Sequence, residues 1–187
     1  IRTADTTAAE LSCDLLTIGI AKDQVSSAVA AFESAFGGTL ADTLKRDEFT
    51  GKSGQTASYP SFGGLGAPKV LFVGLGDGGL KSIIAAAGQA GSHARKMGAN
   101  TVGLGLGTLD TNGTLRAVEA FAVGNYRFDK YKADSDRKAS TAHLLIIGDH
   151  DASATTRASA IAGGQALARD LVNEPAAAIY PETLADV

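Results

Sequence analysis

Apolar positions along this chain alternate between short continuous runs and runs spaced at helical intervals. The largely apolar, β-branched run from Cys13 to Ile20 predicts a buried strand. Val25, Val29, Phe32 and Phe36 then share one helical face, and Gly37-Gly38 supplies left-handed residues suited to ending a helix. Leu40 to Leu44 adds a short helical turn. Gln55 to Tyr59 and Lys69 to Gly74 read as two strands. The glycine-rich connection Pro60 to Pro68 is too short for a crossover helix, so this pair is expected to run antiparallel.

From there the rhythm becomes strand, helix, strand. Leu80, Ile83, Ile84, Ala87, Ala94 and Met97 predict an amphipathic helix leading through Gly98 into a strand over Thr101 to Leu106. Asn112 or Thr114 is the expected cap of a helix carrying Leu115, Val118 and Phe121, and His143 to Ile147 is the last clear strand. A long helix comes next, from about Ser153 to Val172, with Ala158, Ile161, Ala162, Leu171 and Val172 expected on its buried side. Pro175 stops it near Asn173, and Pro181 opens a new helix with Glu182 complementing its positive end. Helices between mostly parallel strands must cover both faces of the sheet, so the pattern predicts a three-layer α/β domain with one antiparallel hairpin.

Composition narrows the classes. The 187 residues are 44% hydrophobic and 20% charged, enough for one sizeable core. A net charge of -3 gives no reason to expect a polyanionic partner, and Cys13, the only cysteine, excludes an intramolecular disulfide. No apolar run approaches the roughly 20 residues that span a membrane, and Ile1 to Glu10 lacks the regions of a secretory signal.

Several local patterns invite chemistry. Gly74-Leu75-Gly76-Asp77-Gly78-Gly79 fits Gly-x-Gly-x-x-Gly between a predicted strand and a predicted helix, the setting of a dinucleotide fingerprint. The ribose-binding acid expected about 20 residues on is absent from Leu104 to Gly107, and Asp77 would set negative charge beside a pyrophosphate, so a tight turn is the preferred reading. Gly51-Lys52-Ser53 resembles the tail of a phosphate loop, but Arg46 stands where the leading glycine belongs. His150 lies between Asp149 and Asp151, with neither His93 nor His143 placed by sequence to join it, which favours a solvated loop over a metal site. There is no Gly-x-Ser-x-Gly elbow, and Cys13 in an apolar strand reads as inert packing. Tyr126 to Lys132 interleaves aromatic and basic residues as nucleic-acid surfaces do, diluted by Asp129, Asp134 and Asp136.

Four stretches in order resemble the leucyl aminopeptidases, the two-metal cytosolic aminopeptidases. They are Phe49-Thr50-Gly51-Lys52-Ser53-Gly54-Gln55, Val70-Leu71-Phe72-Val73-Gly74-Leu75-Gly76, Tyr126-Arg127-Phe128-Asp129-Lys130-Tyr131-Lys132, and Leu171-Val172-Asn173-Glu174-Pro175 continued by Pro181-Glu182-Thr183-Leu184-Ala185. Ala177 and Tyr180 depart from the family pattern, which commonly has Asn and Thr there. The resemblance implies a macro-domain-like three-layer fold. It also implies a division into an amino-terminal non-catalytic domain over 1–152, a closing helix with the start of an interdomain linker over 153–187, and a catalytic domain absent from this chain.

In that family, hydrolysis depends on carboxylates, a lysine, bicarbonate and two divalent metal ions (Zn, Mn or Mg) that polarise the peptide carbonyl and acidify a water. The motifs that carry those ligands do not occur here, so no catalytic, cofactor-binding or metal-binding residue is assigned in 1–187. The implied partners are the chain's own catalytic domain, further copies of itself in a homohexamer and peptide substrates, with DNA a lesser candidate and no membrane. The implied location is cytoplasmic, or the plastid stroma if a transit peptide preceded Ile1. The rival reading is a stand-alone macro-like module for an ADP-ribose-type ligand or nucleic acid, and a third is an inactive scaffold.

Overall fold

The structure, a computed structural model, describes residues 2–4 by their backbone and residues 8–186 in full. Ile1 and Val187, the two ends of the sequence expectation, lie outside the described residues. The continuous apolar runs become interior strands of one six-stranded sheet. Its members are β1 (Arg2–Ala4), β2 (Leu15–Ala21), β3 (Thr56–Pro60), β4 (Lys69–Gly76), β5 (Thr101–Gly105) and β6 (His143–Ile147), in the spatial order β1-β6-β5-β2-β4-β3. All neighbours are parallel except β3 and β4, which pair antiparallel from Thr56 opposite Val73 to Pro60 opposite Lys69, as the short connection required.

Each interior strand is apolar on both faces because helices cover both. Leu15, Leu71, Val73, Val102, Leu104, Leu144 and Ile146 meet α3 (Leu80–Met97), α4 (Thr111–Asn125) and α5 (Ala152–Asn173). Leu16, Ile18, Ile20, Val70 and Phe72 meet α1 (Val25–Val29), a 3-10 turn over Ala30–Phe36, and α2 (Leu40–Arg46). A last short helix, α6, spans Pro181–Ala185. The three-layer α/β expectation therefore holds, with β1 as an added edge strand that the apolar pattern did not announce. The Thr17 hydroxyl, facing the first of these cores, is fully buried and has no hydrogen-bond partner.

Several local expectations need correction. Cys13 is buried but precedes its strand, because the Asp14 carboxylate accepts from the Asn100 and Thr101 amides at 2.8 and 2.9 Å and pins the chain before β2 begins. The helix expected from Val25 to Phe36 tightens to 3-10 geometry after Val29, and Gly37 ends it at φ 65°. Neither Asn112 nor Thr114 caps α4; Asp110 does, accepting from the Gly113 amide at 2.6 Å.

The buried face of α3 is small rather than large. Ala86, Ala87, Ala90, Gly91 and Ala94 are buried, whereas Leu80, Ile84 and Met97 sit at the surface. The reason is close helix packing: a Cβ on Gly91 would lie 2.2 Å from the Phe121 carbonyl oxygen of α4, and one on Gly124 would lie 2.3 Å from that of Gly88. Along α5 only Ala154 and Ala158 are buried. Ile161 and Leu171 are partly covered and Val172 is 85% exposed, so the buried side expected for this helix fades beyond its second turn.

Candidate functional site

Parallel strands carry their carboxyl ends to one edge of the sheet, where open α/β folds bind ligands. Gly74 to Gly79 ends β4 at that edge and Gly148 to Asp151 ends β6 there. The space above the first glycine is taken by the chain itself. A Cβ on Gly74 would lie 1.9 Å from the Lys52 carbonyl oxygen, and Gly74 and Gly76 donate their amides to Gln55 O at 2.9 Å and Gly51 O at 2.8 Å. Gly51, at φ 76°, in turn stands where a Cβ would meet Ala21 O at 2.5 Å.

The two glycine patterns that suggested phosphate chemistry are thus each other's partners. Gln55 shapes the inserted loop. Its side-chain oxygen accepts from the Thr50 amide, the Thr50 hydroxyl and the Lys52 amide, and its amide group donates to Glu48 O. Further along the glycine run the exposed Asp77 accepts from the Gly79 amide at 3.0 Å, so its carboxylate serves the turn into α3.

The acids and imidazoles are also engaged locally. Asp151 caps α5, accepting from the Ser153 amide and hydroxyl and from the Thr111 hydroxyl, and these donors hold its carboxyl at about 2, below the usual carboxylate range. Leu109 donates to Asp149 O at 2.9 Å, which extends the β5–β6 pairing into the loop, and the His150 ring meets Gly148 O at 2.8 Å. His93 lies on α3 against Gln89 O, and His143 begins β6. Among the described residues no three His, Cys, Asp or Glu come together as a metal would require. Burial pushes the Cys13 thiol upward, away from the reactive thiolate.

Tyr126 to Lys132 is where the sequence and the geometry differ most in meaning. Tyr126, Lys130 and Tyr131 are committed to the end of α5. The Tyr126 hydroxyl donates to Asp170 at 2.8 Å and accepts from Asn173 at 3.1 Å, while the Arg169 guanidinium lies 4.3 Å from the Tyr126 ring centre. Lys130 and the Tyr131 hydroxyl both reach the carboxylate of Glu174, whose side chain is 7% exposed. That pairing lowers the Glu174 pKa and raises those of Lys130 and Tyr131. Arg127 and Lys132 pair with Asp129, and Arg137 donates to the carbonyls of Asp129, Lys130 and Lys132. Bases that would neutralise phosphates are neutralising this chain's own acids and carbonyls. Periodicity missed this clasp because its partners lie more than 40 residues apart.

The arrangement defines a three-layer α/β domain whose conspicuous motifs lock its own fold. The chain belongs to the cytosol aminopeptidase family, and residues 17–135 match that family's N-terminal domain. A probable cytosol aminopeptidase of Methylobacterium radiotolerans is 34% identical over 177 residues, covering 87% of this chain and 35% of the relative. Another, from Cyanothece sp., is 31% identical over 199 residues, covering all of this chain and 40% of the relative. The chain therefore spans little more than a third of the curated relatives it matches. Among solved structures, a tomato leucine aminopeptidase mutant superposes with a TM-score of 0.79 at 22% identity, over 99% of this chain and 40% of that one. The bottromycin maturation enzyme BotP gives 0.68 at 28% identity over 92% and 35%, and it has also been solved in complex with Mn.

Proposed function

We propose that residues 1–152 form the non-catalytic amino-terminal domain of a leucyl aminopeptidase, and that residues 153–187 form its closing helix and the start of an interdomain linker. The match of residues 17–135 to the family's N-terminal domain carries this reading. The relatives continue well beyond the aligned region, and Leu167, Val172, Tyr180 and Leu184 leave apolar surface exposed along the segment that would lead there. The whole protein would remove amino-terminal residues, leucine preferred, from peptides, and would assemble as a cytoplasmic homohexamer. Among the described residues no helix is long and apolar enough to cross a membrane.

Two divalent cations, Zn, Mn or Mg, would supply the Lewis acid in the catalytic domain. The carboxylates described above do not fit such a pair, since chain donors already hold them, and no hydrolytic step is assigned to them. The test is hydrolysis of a leucyl amide with Mn²⁺, comparing residues 1–187 with a polypeptide that continues through the catalytic domain. The longer protein is expected to turn over and the shorter to show none. Turnover by residues 1–187 alone would overturn the division of labour.

A further inference from the structure

Helix α5 has fully buried residues only in its first two turns and a polar clasp at its end. Its first two turns are held by Ala154 and Ala158 against the core, and its last turn is held by the polar clasp from Tyr126, Lys130 and Tyr131. Between them stand Gly163 and Gly164, where a methyl group on either would meet no atom within 4 Å. Glycine inside a helix costs about 1 kcal/mol relative to alanine, and unlike Gly91 or Gly124 these two gain no close approach in exchange. Beneath the last turns lies an open cleft of about 430 Å³, bounded by Arg127, Asp129, Lys130, Leu167, Leu171 and Ile179. The far half of the helix therefore lies along α4 with side chains that are at most part-buried, Ala162, Ala166 and Leu171 among them, and with Arg169 donating to Val123 O at 3.2 Å.

We propose that α5 is a jointed strap, with Gly163-Gly164 as the pivot and the clasp on Asp170, Asn173 and Glu174 as a latch. Its far half opens from the domain while the first two turns stay docked. The clasp suits reversible release because it is polar and several of its members, Lys130 and Tyr131 among them, are solvent-exposed. A helix end held by few buried apolar contacts belongs to the low-stability part of a fold. On the reading proposed above, the strap sets how the domain is carried relative to the catalytic domain. The joint itself is a property of these 187 residues and stands or falls without any peptidase activity.

Hydrogen exchange on residues 1–187, followed amide by amide, tests the proposal. Amides of 165–173 are expected to exchange at least tenfold faster than those of 156–160. Combining Tyr126→Phe with Glu174→Gln should accelerate 165–173 several-fold further and leave 156–160 unchanged. Combining Gly163→Ala with Gly164→Ala, which keeps the latch, should slow 165–173 roughly 25-fold, the equivalent of about 1 kcal/mol at each glycine summed at about 1.4 kcal/mol per decade. Equal protection along the whole helix would overturn the joint. So would latch variants that loosen both halves or neither, or alanines that leave the far half as fast as before.

Discussion

Gly91→Ala is expected to destabilise the domain by about 3 kcal/mol, near the upper end of what overpacking a filled interior costs. The added methyl would sit 2.2 Å from Phe121 O and 2.9 Å from the Asn125 amide, both backbone atoms of α4 that no rotamer change can move. Relief requires α3 and α4 to part, which loosens Ala87, Ala90, Ala117 and Phe121 in the same core. For a domain of this size that corresponds to a drop of roughly 6–12 °C in Tm. Gly88→Ala is the control on the same helix, since its nearest contact would be Ala120 O at 3.8 Å. It should stay within about 1 kcal/mol of the parent, helped by the better helix propensity of alanine. Calorimetry showing equal losses at positions 88 and 91 would refute the close helix crossing.

A loss of about 3–5 kcal/mol is expected for Gly74→Ala, combining about 1–3 from overpacking with about 1 for each of the two backbone hydrogen bonds that the displaced loop gives up. The bonds at risk are Gly74 N to Gln55 O and Gly76 N to Gly51 O. Gly78→Ala, in the same glycine run, has φ 78° and open space around it. It should cost only the left-handed strain, about 1–2 kcal/mol. A phosphate-binding loop would behave differently, with both substitutions weakening a ligand and neither greatly unfolding the protein. Denaturant midpoints for the two variants separate these outcomes.

The sheet was legible because its runs are apolar on both faces, and the hairpin because Pro60 to Pro68 leaves no room for a crossover. Helix interiors could be read from spacing, and Ala87 and Ala94 of α3 with them, but Gly91 on its packed face could not. Hydropathy weights leucine and isoleucine, whereas Gly91 and Gly124 bring backbones together by having nothing to weigh. The cap of α4 shifted from Asn112 or Thr114 to Asp110 because all three have suitable side chains, and only the path of the loop after β5 decides among them. Val172 satisfied the helical period yet faces solvent, since the period gives a direction and not a partner.

The four family-like stretches were visible one at a time, but their meaning was not. In space they form two pairs. The Phe49 to Gln55 loop closes over Gly74 and Gly76, and Tyr126 to Lys132 clasps the helix end at Asp170 to Glu174. The contacts within each pair join residues far apart in the chain, beyond the reach of any local periodicity. Each pair explains why a pattern that resembles ligand chemistry serves the fold instead.

The start of the glycine run, at Gly74 and Gly76 where β4 ends, is covered by the chain's own backbone, and on that the rest depends. It is tested most directly by watching the amide resonances of Gly74 to Gly79 while residues 1–187 are titrated with ADP-ribose and, separately, NAD. No saturable shift is predicted at millimolar ligand. A saturable shift centred on these glycines, lost in a folded Gly78→Ala variant, would contradict it.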